Sequence, residues 1–145
     1  MAITQAICNT FKEELLEGDH NFDTGGDVFK LALYTSAATL NSSTTVYTST
    51  NEVGDTGTYV STGGTLVNSG TSQIGGVAFC DFADLSFTGV TLTARGALIY
   101  NTSATVTDAA VAVLDFTADK TATSGTFTIV FPDNTSAAAI LRISG

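Results

Sequence analysis

Cationic side chains are scarce in this sequence: five Lys and Arg stand against fourteen Asp and Glu, a formal net charge of −9. Lys12, Lys30, Arg95, Lys120 and Arg142 are scattered along the chain. They form no basic stripe able to neutralise a phosphate backbone, which argues against nucleic acid as a partner. The same shortage disfavours anionic membrane surfaces, and no apolar run approaches the ~18 residues needed to span a bilayer. Tryptophan is absent, and proline and histidine each occur once, at Pro132 and His20. The two cysteines, Cys8 and Cys80, belong to no CxxC pair. They read as two buried thiols, with a single bridge from the N-terminal segment to the body as the alternative. The opening Met1–Gln5 has neither the basic nor the apolar region of a secretory signal, so synthesis in a cytoplasm is the expectation.

What replaces charge is hydroxyl. Charged residues make up 13% of the chain, half the usual ~25%, while it holds 26 threonines and 12 serines. With hydrophobic residues at 43%, this is no disordered composition. A chain of 145 residues fits one domain and buries about 68–70% of its unfolded surface. The composition points to a β-rich module with neutral polar faces.

Patterning divides the chain into a helical arm, residues 1–18, and a β-sandwich domain, residues 19–145. Ile3, Ile7, Phe11 and Leu15 recur every four residues, flanked by Ala6 and Leu16, which predicts one amphipathic helix. Thr4 or its predecessor serves as N-cap, and Gly18 suits the position just past the C-terminal end. Glu13, Glu14 and Glu17 oppose the helix dipole, so packing must hold this helix. Its stripe must bury either on its own β-body or on a neighbouring subunit.

From Phe29 the period changes to two. Strands are predicted at 29–34, 77–81, 85–87, 91–100, 109–116, 126–131 and 138–143, with weaker ones at 45–48, 58–61 and 65–68. Gly75-Gly76, Asp119–Gly125 and Pro132-Asp133-Asn134 read as turns. The expected fold is all-β: a jelly-roll-like antiparallel β-sandwich preceded by one N-terminal α-helix.

Reactive chemistry is hard to build from these residues. Asp19, Asn21 and Asp23 occupy alternate positions, as in a calcium loop, but Thr24 and Lys30 stand where an EF-hand needs Gly and Glu. A helix-to-strand turn is the better reading. There is no GxSxG elbow and no phosphate-cradling glycine motif, and any triad must use His20. Carboxylate pairs drawn from Asp81, Asp84, Asp108, Asp115 and Asp119 are not distinguished from solvated loop residues. Asn41, Asn101 and Asn134 head N-x-Ser/Thr triplets that read as turns, and Arg95 is expected to pair with Asp81 or Asp115. The expectation is no enzyme, no catalytic residues, no metal and no cofactor.

Several stretches carry a likeness. Met1–Ala6, Phe11–Gly18, Phe29–Leu40, Thr50–Val53, Thr93–Asn101 and Ala112–Phe116 resemble small virion proteins of tailed bacteriophages, most specifically in Ala-Leu-Tyr-Thr-Ser and Ala-Arg-Gly-Ala-Leu-Ile-Tyr-Asn. The resemblance spans nearly the whole chain. It implies a virion structural protein: a homo-oligomeric capsid decoration (cement) protein that binds the major capsid protein, or else a tail or neck component that touches host receptor or glycan. The interface residues expected from the stripe are Ile3, Ile7, Phe11 and Leu15.

Overall fold

The computed structural model describes residues 2–145. Its elements are β1 (Ala6–Ile7), α1 (Asn9–Leu16), β2 (Phe29–Tyr34), β3 (Gly64–Thr65), β4 (Asn68–Ile74), β5 (Val77–Phe82), β6 (Leu85–Asn101), β7 (Ala109–Ile129) and β8 (Leu141–Ser144). They build an antiparallel sandwich of two sheets, ordered β1-β7-β6-β2-β3 and β4-β5-β8. Phenylalanines join the sheets: Phe29 of β2 lies 5.6 Å from Phe82 of β5 between ring centroids, and Phe22 stacks on Phe29 at 4.4 Å.

The spine is the β6–β7 hairpin, registered from Leu85↔Ile129 to Asn101↔Ala109. Two interruptions expected along it do not occur. The stretch Asp119–Gly125, read as a turn, runs inside β7, and residues 88–90, left between the predicted strands 85–87 and 91–100, run inside β6. The ladder absorbs them as bulges, with positive φ at Gly89, Thr117 and Ser124. Facing hydroxyls bridge the exposed part, Ser86 to Thr128 at 2.8 Å and Thr93 to Thr121 at 2.9 Å.

The N-terminal helix is shorter than its sequence period. It begins at Asn9, and Ile3 instead forms an isolated parallel bridge with Leu40 while Ala6 and Ile7 pair with Val113 and Ala112. A four-residue repeat is also two strand periods, and sheet edges offered Ile3, Thr4 and Ile7 the partners their β-branched side chains favour. Gly96 makes room for this: a Cβ there would meet Ile3 Cγ2 at 2.8 Å. The far end follows expectation, since Gly18 takes φ +79°, its N–H donates to Leu15 O, and Asp19 N–H donates to Glu14 O. Within residues 2–18, Ile3, Cys8 and Phe11 are buried in the common core with the β-strands.

The hydroxyl-rich stretch between β2 and β4 is clasped by tyrosine. Glu52 accepts hydrogen bonds from the Tyr47 hydroxyl, the Tyr59 hydroxyl (2.8 Å) and Thr62 N–H (2.8 Å). Tyr59 in turn accepts from Leu33 N–H, and Tyr34 donates to Thr48 O. Tyr100 stacks on Tyr47 at 4.9 Å, so all four tyrosines of the chain share one cluster. Burial raises each phenol above its usual value, that of Tyr100 to about 12.

Two outcomes follow from this packing. Deleting residues 1–17 removes Phe11 alone at a cost of about 3–5 kcal/mol, plus Ile3 and Cys8, against a total stability of about 5–15 kcal/mol. The truncated chain should lose cooperative melting in calorimetry. Because the folded phenols hold their protons more tightly than unfolded ones, stability is complete below pH ~10 and falls as pH rises through the folded values. Absorbance at the tyrosinate band should therefore rise together with loss of β-sheet circular dichroism, not before it.

Candidate functional site: an apolar cleft beside the N-terminal helix

The three-stranded sheet overhangs α1. Its registers pair Cys80 with Thr71 and Leu141, and Ala78 with Ile143. Strand alternation therefore puts Ala78, Cys80, Leu141 and Ile143 on one face. Across from them stand Ile7, Phe11, Leu15 and Leu16, and the gap between is a cleft of about 730 Å³. Cys80, Leu141 and Phe11 are buried at its base, while Ile7 is 40%, Ile143 60% and Leu16 91% exposed.

Of the four residues expected to form an interface, the structure brings Ile7, Phe11 and Leu15 to this cleft and sends Ile3 elsewhere, into the core against Gly96. Only Ile7 and Leu15 have accessible side-chain surface; Phe11 packs edge-on to His20 at 4.8 Å and to Phe22 at 5.8 Å. Three contributors went unnoticed in the sequence. Leu16 stood as a mere flank of the stripe, and Ile143 and Arg142 lie some 125 residues further along the chain. Only the outward Leu beside the helix-ending Gly18 was there to be read.

Polar groups around the cleft are committed to the scaffold. His20 Nε2–H donates to Glu14 Oε1 at 3.0 Å, and Asn101 Nδ2 donates to His20 Nδ1 at 2.9 Å. The amide of Asn101 has one orientation, because its Oδ1 accepts Ser103 N–H and its Nδ2 also donates to Asp27 Oδ2. Nδ1 of His20 is thus an acceptor and Nε2 carries the proton. Neither nitrogen is free to act on a substrate. Asn101 is fully buried, which removes it as a glycosylation acceptor, and Asn41 closes a turn by accepting Ser43 N–H.

Several of the carboxylates weighed against a calcium loop or a catalytic pair make local bonds. Asp19 accepts the Thr105 hydroxyl and N–H, which hold its carboxyl below the usual range. Asp23 accepts Thr24 N–H, and Asp84 accepts Phe131 N–H. Asp115, not Asp81, pairs with Arg95, at 3.4 Å. Asp81 is buried, and desolvation raises its carboxyl, with Asp84 and Asp133 adding to the effect. Among the described residues no group of three or more His, Cys, Asp or Glu is arranged to hold a metal ion. No helix among them is long and apolar enough to cross a membrane.

Lys12 and Arg142 line the cleft. Lys12 donates to Asn9 Oδ1 and Arg142 to Ala137 O. Among the described residues the one ion pair made by Lys or Arg is Arg95–Asp115, so neither cleft cation faces a carboxylate of its own chain.

A second recess of about 570 Å³ runs beside β7, lined by Leu114, Phe116, Phe127, Ile129, Ile140 and Val130, which is 74% exposed. It shares no residue with the first. Among the described residues, β1 covers the outer edge of β7 only at Ala112 and Val113; beyond it Asp115 N–H donates to Gln5 Oε1 and Thr117 N–H to Asp115 Oδ1, and no further strand pairs with that edge.

No family model, no curated protein and no solved structure matches this chain.

Both cysteines are free and buried; desolvation pushes the Cys8 thiol up to about 11 and that of Cys80 to about 12, with Glu14 and Asp81 respectively adding to it. A thiol needs its thiolate to react. At neutral pH a disulfide-exchange reagent should titrate neither cysteine in the native chain and both after denaturation. Prompt native labelling of Cys80 would show that the cleft activates it.

Proposed function

We propose that this chain is a capsid decoration protein of a tailed bacteriophage, a passive cement that stabilises the shell by binding the major capsid protein. The observation that carries this reading is the pair of recesses, an apolar one at α1 and one at β7 lined by threonines, Gln5 and Lys120 as well as apolar side chains, which share no residue on one small sandwich. A cement subunit must grip two things, the shell beneath it and its neighbours, and each contact needs its own desolvated core.

The surface suits the task. Threonine and serine lose little rotamer freedom on docking, so contacts made by a hydroxyl-rich face cost less order than contacts made by lysine or glutamate. A net charge of −9 keeps such a module away from packaged nucleic acid. The strand-free edge of β7 beyond Thr117, with its flanking groove of apolar and hydroxyl side chains, fits a strand supplied by the shell protein: main-chain hydrogen bonds give affinity and the groove seats alternate side chains. The bulge at Thr117 and the charges of Asp119 and Lys120 on that edge discourage indiscriminate pairing.

Quantitative mass spectrometry of purified particles tests the proposal. Hundreds of copies per particle are expected, whereas a few to a few dozen would move the chain to the tail or neck. In the recess beside β7, Val130→Asp should leave the fold intact, because the side chain is already 74% exposed. It should weaken binding to empty shells about tenfold or more.

A further inference from the structure

The cleft beside α1 is a hole whose matching knob lies on the same surface. Leu16 is 91% exposed, which leaves a whole aliphatic side chain in water. Glu13, one helical turn behind it, and Glu17, next to it, are exposed acids on either side. The cleft offers the complement: an apolar rim of Ile7, Ala78 and Ile143, with Lys12 and Arg142 beside it.

We infer that this cleft is a two-fold dimer interface, in which Leu16 of one copy enters the cleft of a second copy while Glu13 and Glu17 approach its Lys12 and Arg142. The inference rests on the reading of the chain as an assembly subunit, whose self-contact it locates. Two bodies of charge −9 repel each other, so association needs a place where the local charge is of opposite sign. The chain has five cations, and two of them border this one cleft without a carboxylate partner of their own. A two-fold interface further requires that knob and hole belong to a single patch, so that each copy gives what it receives. Here both are built around the last turn of α1.

The same geometry says what each element contributes. The Schellman-type end at Gly18 fixes the last turn and holds Leu16 outward. The buried triad of Phe11, His20 and Phe22 beneath the helix keeps the knob from sinking into its own core. Burying the leucine and the rim supplies the affinity; the charge pairs set register and orientation.

Sedimentation analysis of the full chain decides the matter. The wild type should dimerise, and Leu16→Glu should be monomeric and melt as the wild type does when diluted to monomer, since it alters a residue exposed in the single chain. Arg142→Glu should weaken the dimer at least tenfold, and Glu17→Arg added to it should restore association. A wild type that stays monomeric at millimolar concentration overturns the inference. So does a dimer indifferent to Leu16→Glu, or an aliphatic carboxylate found in the cleft by native mass spectrometry. Particles that lack the polypeptide would refute the decoration reading and leave a Leu16-dependent dimer standing. A monomer present at hundreds of copies would refute the dimer alone.

Discussion

The pairing of β6 with β7 carries the rest of the molecule. β2 hydrogen-bonds along the far side of β6, β1 along the far side of β7, and β3 reaches the sheet only through β2. The inner halves of these strands, Ala97–Asn101 and Ala109–Val113, are buried along their whole length. Their outer halves are covered on one face alone, where Phe87, Val90, Leu92, Phe127 and Ile129 are buried. On the other face the ladder carries hydroxyl pairs and is paced by bulges, which lets one hairpin serve as core on both faces at one end and on a single face at the other. Threonine suits that double duty, since its branched Cβ favours the strand and its hydroxyl replaces charge in keeping the face soluble.

Legibility tracked how local each determinant is. β2 falls on the predicted residues 29–34 because its apolar alternation is decided within six residues, and Gly75-Gly76 turns the chain between β4 and β5 as expected. Gly18 ends α1 for a reason contained in one turn of helix. The helix start was not legible, because Ile3 and Ile7 satisfy a strand as well as a helix and the deciding partners, Leu40 and Ala112–Val113, are distant. β4 was invisible for the opposite reason. Asn68–Ile74 has almost no apolar alternation, and its strand exists because β5 offers it an edge. The tyrosines could not be seen to converge, since Glu52 is one acid among fourteen until the fold surrounds it.

The candidate site shows the same division. Ile7 and Leu15 were readable from a local repeat and do reach the cleft, but the opposite wall comes from β5 and β8, with Ala78, Leu141 and Ile143 brought there by sheet register. No spacing within the helix could announce that wall. Burial also sorted the stripe differently from its period. Phe11 went to the aromatic stack under the helix, and Ile3 to the gap left by Gly96. The residue left outermost, Leu16, stands at the margin of the stripe and not at its centre.

The tyrosine clasp has a spectroscopic consequence. With no tryptophan in the chain and every tyrosine in a single cluster, intrinsic ultraviolet emission originates at one location in the molecule. That location lies away from both recesses, none of whose lining residues is a tyrosine. Emission will therefore follow the anchoring of the long connection between β2 and β4 and stay silent while surfaces elsewhere are covered. A fluorophore placed beside α1 or β7 would be needed to watch those events.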